Sequence, residues 1–211
     1  GEGIVIWRDE LVQLTWRSKK AFTYNASTLQ RTGEFAYTTT VTSERQDEGW
    51  GITRSADDLI VSDGTDALIF WDPVTKRERR RVRVKSAATG QYQPLLNELE
   101  YVHGWVLANV WYSDKIAVIH AETGTLVTWI DCSHLRTQIG EVLNGVAYTA
   151  RRADGTWATQ PWGGRLWITG KFWDTLYEVE LTGLQQYTPP ARRARAKRNG
   201  TASATRAAEL R

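Results

Sequence analysis

The sequence predicts an all-β chain built as a β-propeller, and three observations carry that expectation. The 211 residues fall into four segments of one layout, opening at Glu2-Gly3-Ile4, Glu48-Gly49-Trp50, Asn97-Glu98-Leu99 and Asn144-Gly145-Val146, which lie 46, 49 and 47 residues apart. A period in the forties holding several strands is the signature of a propeller blade. The apolar runs are short, β-branched or aromatic, and bounded by Gly, Asp and Asn, so they read as strands rather than helices. Eleven Trp, eight Tyr and four Phe supply the large flat side chains that β-rich cores favour.

The elements follow in order. Each opening leads into an apolar run (residues 11–16, 59–64, 106–111 and 166–171) and then a second (22–24, 68–71, 116–119 and 176–181). The first three segments then reach a turn at Asn25-Ala26-Ser27-Thr28, Asp72-Pro73-Val74-Thr75 or Ala121-Glu122-Thr123-Gly124, and a further strand-like stretch. Residues 77–83 read as a strand with exposed basic side chains, because Val82 and Val84 alternate with Arg81, Arg83 and Lys85. Residues 38–47, 86–94 and 151–164 depart from the compact repeat and read as surface inserts. Four repeats leave two unpaired faces in a ring, so a fifth blade is expected upstream of Gly1. A chain opening on its candidate carboxylate would hold that group poorly. Such a fragment is expected to be inactive or poorly soluble on its own.

Composition sets the outer bounds. A 41% hydrophobic content over this length allows one sizeable core, and no apolar run approaches the length of a membrane span. The net charge of +3 comes from the end of the chain: seven Arg and Lys between Arg192 and Arg211, against Glu209 alone, leave a body with 20 basic and 23 acidic residues. Residues 1–185 are therefore expected to form the propeller and 186–211 a basic, disordered tail. No nucleic-acid partner is expected, and the complete protein is expected to be a monomer. The single Cys132 excludes an intrachain disulfide within this sequence. Asn25-Ala26-Ser27 and Asn199-Gly200-Thr201 are glycosylation sequons that matter only in a secreted protein. No Met occurs and the chain opens on Gly1-Glu2, so it reads as a fragment or processed product in which a signal peptide cannot be assessed, and the compartment stays open.

Rotational equivalence indicates where chemistry can sit. Aligning the second strands on Leu11, Leu59, Val106 and Leu166 superposes Trp16, Gly64, Trp111 and Lys171. The same logic groups the openings Glu2, Glu48, Asn97 and Asn144, and both Glu2 and Asn97 precede their tryptophan by 14 residues. Each residue also has a structural reading: indoles that pack between blades, an acid and an amide that cap turns. Lys171 argues for more, since a lysine is seldom enclosed without a partner. Together they describe a small polar-ligand pocket with aromatic walls at one channel mouth. His103, His120 and His134 lack zinc-ligand spacing, no serine nucleophile elbow occurs, and no glycine loop cradles a phosphate. Asp63, ahead of Gly64, reads as a turn residue.

The stretches Gly1-Glu2-Gly3, Gln13-Leu14-Thr15-Trp16, Glu48-Gly49-Trp50-Gly51-Ile52-Thr53, Ser62-Asp63-Gly64, Leu96-Asn97-Glu98-Leu99-Glu100-Tyr101, Ala108-Asn109-Val110-Trp111, Leu143-Asn144-Gly145-Val146-Ala147-Tyr148 and Ile168-Thr169-Gly170-Lys171-Phe172-Trp173 resemble the plant-type glutaminyl cyclases. The resemblance runs from Gly1 to about Leu181 and implies a five-bladed propeller of which about four blades are present. The family's first blade, with its Phe-Thr-Gln-Gly motif, is missing, and the inserts at 38–47 and 151–164 are longer than the family pattern. The resemblance implies a transferase that converts N-terminal Gln of peptides or proteins to pyroglutamate with loss of ammonia, needing no metal and no cofactor. It further implies Glu2 as general acid/base, Lys171 as oxyanion or orienting group, and Trp16, Trp50, Asn97, Trp111 and Asn144 as substrate contacts. A secretory or extracellular location follows from the family alone. The other class left open is a non-catalytic propeller that presents loops to a protein or peptide.

Overall fold

A computed structural model describes residues 1–39, 48–135, 142–160, 162–181, 183–184 and 186–187. The expected basic tail after 187 and most of the insert at 38–47 lie outside the described residues.

Strands β1 (Ile4–Trp7), β2 (Glu10–Leu14), β3 (Lys20–Asn25) and β4 (Arg31–Ala36) pair in sequential order as one antiparallel sheet. Strands β5 (Ile52–Arg54), β6 (Leu59–Val61), β7 (Ala67–Trp71) and β8 (Glu78–Arg83) form the second. After β9 (Lys85–Ser86), the third sheet comprises β10 (Leu96–Val102), β11 (Trp105–Val110), β12 (Lys115–His120) and β13 (Thr125–Asp131). A 3-10 turn (Ser133–Leu135) precedes β14 (Leu143–Thr149), β15 (Arg165–Gly170) and β16 (Tyr177–Val179), the described strands of the fourth. The first strands of successive sheets lie side by side, β1 by β5, β5 by β10 and β10 by β14. That is the inner ring of a four-bladed, propeller-like arrangement. No helix among the described residues is long and apolar enough to cross a membrane.

The core is three layers between four sheets. Val12 and Leu14 of the first sheet meet Ile52, Leu59, Val61, Ile69 and Trp71 of the second. Ile60, Leu68 and Phe70 face Leu99, Val106 and Ala108 of the third. Trp105, Leu107, Ile116 and Val118 face Val146, Leu166 and Ile168 of the fourth. A strand sends alternate side chains to opposite faces, so β7 and β11 are buried at every position because each face has its own layer. On the first sheet the face opposite Val12 carries Ile4 and Ile6, which remain 58% and 48% exposed.

Recurrent turns close the blades. Asn25 Oδ1 accepts hydrogen bonds from the backbone N–H of Ser27 and Thr28, and Asp72 Oδ1 from those of Val74 and Thr75. In the third blade His120 Nδ1 takes the same place, accepting from Glu122 and Thr123. The turn expected at Ala121 is therefore anchored one residue earlier, by an imidazole doing the work of an Asx side chain. The basic strand at 78–83 is laced by ion pairs rather than presented bare: Arg79 with Asp58 and Asp72, Arg80 with Glu122, Arg83 with Asp66.

Two expectations change. The polar stretch 86–94 is not wholly an insert, since Lys85 and Ser86 pair in parallel with Thr125 and Leu126 and add a fifth strand to the third sheet. The phase of the inner ring also moves. Pairing matches Ile4 with Gln13, Ile52 with Val61, Leu99 with Ala108 and Val146 with Ile168. Two residues before each inner-strand partner stand Glu2, Trp50, Asn97 and Asn144, at spacings of 48, 47 and 47. Trp50, not Glu48, is the rotational equivalent of Glu2. The repeated Glu-Gly dipeptide suggests the wrong phase, and the backbone hydrogen bonds of the sheets set the right one.

Candidate active site

The site is built where inner strands begin and second strands end. Glu2 N–H donates to Leu14 O at 3.0 Å, and Gly3 N–H to Trp50 O at 2.8 Å, so the carboxylate-bearing residue is tied to its own blade and its neighbour to the next. Gly3 permits this approach, since a Cβ there would lie 2.7 Å from Ile52 N. Gly51, one blade on, likewise leaves room for the Asn97 carbonyl. Trp111 N–H donates to Leu95 O at 2.9 Å and Lys171 N–H to Val142 O at 2.8 Å, fixing the strand ends that carry those side chains.

Glu2, Trp16, Trp50, Asn97, Trp111 and Lys171 line one cavity of about 100 Å³. That is room for a few waters or one small polar side chain, and too little for a nucleotide-sized ligand. Trp50 and Trp111 meet edge to face, with centroids 5.0 Å apart at 87°. Gly64 explains its own place in the second ring. A Cβ there would sit 2.6 Å from the Trp50 indole, and its φ of 78° suits glycine. Asn144 is not among the six lining residues. Its Oδ1 is buried without a hydrogen-bond partner among the described residues. Asp63 is a turn residue, accepting from Thr65 N and Oγ1.

Burial raises the Glu2 carboxyl above its ordinary range, against the pull of the Lys171 charge, and Glu48 adds to the rise. Glu48, expected in the ring but given no role in the chemistry, now acquires one. Glu48 Oε2 accepts the Trp50 Nε1–H at 2.9 Å, and Oε1 accepts Arg17 Nε–H at 3.0 Å. Burial alone would raise its carboxyl, but the bonds from Trp50, Trp16 and Arg17 outweigh that and hold it below its ordinary range. One ionised carboxylate thereby orients two aromatic walls. The sequence signal was the opening Glu48-Gly49-Trp50, read as a ring member when Glu48 is in fact the bracket behind one.

A larger cavity of about 940 Å³ opens at the other end of the inner strands, lined among others by Ile4, Ile6, Arg54, Glu100, His103 and Tyr148. It too carries polar and aromatic groups, but the small cavity gathers six of the seven expected site residues, which makes it the stronger site. Among the described residues, no three His, Cys, Asp or Glu side chains are placed to hold a metal ion.

A family model described as glutamine cyclotransferase matches residues 1–181. The chain belongs to the glutamine cyclotransferase family. A glutaminyl-peptide cyclotransferase of Arabidopsis thaliana is 32% identical over 188 residues, covering 86% of this chain and 52% of the relative. The chain thus spans about half the length of that curated relative. The crystal structure of Myxococcus xanthus glutaminyl cyclase superposes with a TM-score of 0.69 at 33% identity, covering 84% of this chain and 70% of that one. For this glutamine cyclotransferase family member, the propeller expected from the repeat matches a solved member's fold as well as its sequence.

Proposed function

We propose that this protein cyclises N-terminal glutamine of peptides or proteins to pyroglutamate, releasing ammonia. The observation that carries the reading is the convergence of Glu2, Asn97, Lys171 and three indoles on one small cavity. The α-amine nitrogen attacks the γ-carboxamide carbon, closing a five-membered lactam. Glu2 accepts the amine proton and returns a proton to the departing nitrogen, which leaves as ammonia. A carboxyl raised by burial serves both halves of that exchange better than a fully solvated one. Lys171 stabilises the negative charge that develops on the carboxamide oxygen, and Asn97 hydrogen-bonds the substrate. Trp16, Trp50 and Trp111 hold the side chain folded toward its own amine. Ammonia release from a Gln-initiated peptide by the full-length protein tests the reading, and no release above the buffer rate overturns it.

The mechanism asks only for proton transfer and fixed charges. Turnover is accordingly expected to survive exhaustive chelation unchanged. Loss on chelation with recovery on added zinc would assign the reaction to different chemistry.

Glu48 acts through its neighbours. Glu48→Ala removes charge-assisted bonds to the indoles, so the substrate's KM should rise roughly tenfold, consistent with the loss of one such bond. Because the Glu48 charge helps to raise Glu2, its removal should also move the acid limb of the pH–rate profile to lower pH. A purely structural Glu48 would leave that limb in place.

A further inference from the structure

We infer that Tyr112 and Phe172 form an aromatic rim that binds the side chain following the substrate's N-terminal glutamine, giving preference for aromatic and large apolar residues there. The inference rests on the cyclotransferase reading and extends it to substrate selection.

The two residues occupy equivalent places. Tyr112 follows Trp111 and Phe172 follows Lys171, and both predecessors line the cavity. Each sits at the third position of a tight turn, closed by Ser113 N–H to Val110 O at 2.9 Å and by Trp173 N–H to Gly170 O at 3.2 Å. Their φ values are 65° and 61°, where a turn of this shape ordinarily takes glycine and a bulky side chain carries a steric cost. Burial offers no compensation, since Tyr112 is 75% and Phe172 85% exposed. Leu29 shares the positive φ and the exposure, so what sets Tyr112 and Phe172 apart is that both are aromatic and both directly follow a cavity-lining residue, placed to meet something that arrives.

The geometry names what arrives. The cavity accommodates one small side chain, so the rest of a peptide must leave over the rim. Tyr112 stacks on Trp111 with centroids 4.6 Å apart at 15°, which carries the pocket wall outward onto the surface. Across the mouth the Trp16 ring is already covered by the Arg17 guanidinium at 3.8 Å. Trp16 remains 44% exposed, less than Tyr112 at 75% and Phe172 at 85%, so the most open aromatic rings beside this mouth are those that follow Trp111 and Lys171. An aromatic second residue can stack there, whereas glycine offers nothing to hold.

The test compares Gln-Phe-Ala with Gln-Gly-Ala in the full-length protein and in Tyr112→Gly, Phe172→Gly and the double variant. Glycine relaxes both turns, so misfolding is not a competing explanation. The kcat/KM ratio between the peptides is expected to be about tenfold in the parent, the scale of one aromatic contact. It should fall to near unity in the double variant. Peptide binding is followed in parallel by tryptophan fluorescence. Absence of ammonia release, with tighter binding of Gln-Phe-Ala that vanishes in the double variant, would defeat the cyclotransferase reading and leave the rim standing. A peptide preference that is absent from the parent, or unchanged in the double variant, overturns the rim.

Discussion

Glu2→Gln is expected to lower kcat for ammonia release by about 10²–10⁴-fold, the range over which general acid–base groups act, while leaving the fold intact. The amide keeps the shape of the side chain, and the bonds that hold this residue come from backbone N–H groups, which the substitution does not touch. What disappears is the ability to take a proton from the amine and return it to the leaving nitrogen. The parent should show an acid limb in kcat/KM above the ordinary glutamate range, because Glu2 must be ionised to accept the proton and burial raises it. The variant's residual rate should lose that limb. Turnover near the parent rate in Glu2→Gln, with an unchanged melting temperature, would remove Glu2 from the acid–base role.

Much of this site was legible because two different signals converge on it. The second strands announce themselves through Leu11, Leu59, Val106 and Leu166, which pair with Ile6, Arg54, Tyr101 and Tyr148 in one register across all four sheets. Counting onward from them reaches Trp16, Gly64, Trp111 and Lys171, and Gly64 stands out only because it makes way for Trp50. The inner strands are harder to phase, because they mix acids, amides and apolar residues and β10 and β14 carry bulges. A slip of two residues preserves which face a side chain points to, which is why the sequence puts Glu48 in the ring and the structure still has it beside the site. Strand β9 was invisible because two polar residues carry no alternation to read. His120 was invisible as a turn anchor because an imidazole in that role has no sequence signature apart from its neighbours.

The largest stability effect is expected away from the pocket, at Glu98 and Glu100 on β10. The inner strands of different blades share no ladder, so their channel-side N–H groups need other acceptors. Glu98 Oε2 accepts Val146 N–H and Glu100 Oε1 accepts Tyr148 N–H, each at 3.0 Å, while Thr53 Oγ1–H donates to Glu100 Oε2 at 3.3 Å. Two carboxyls thereby stitch the second, third and fourth blades together. Burial pushes Glu98 well above the ordinary value of 4.5, with the Glu100 charge adding to it, and burial pushes Glu100 to about 7 despite its hydrogen bonds. Glu98→Ala and Glu100→Ala each orphan a strand amide and should cost about 1–3 kcal/mol. Glu98→Gln and Glu100→Gln retain an accepting oxygen and should cost much less. The pH dependence has a definite sign. A raised carboxyl contributes stability that is fully present below 4.5 and is lost as pH rises, for Glu100 through about 7. A shift of that size corresponds to about 3 kcal/mol at full ionisation. Denaturant unfolding of the parent and Glu100→Gln at intervals from pH 4.5 to 7.5 cancels the other titrating groups. The difference should move steadily in favour of the glutamine variant as pH rises. A flat difference would show that Glu100 ionises in the folded protein as it does in the unfolded chain, and one that moves toward the parent that folding lowers its pKa; either overturns the prediction.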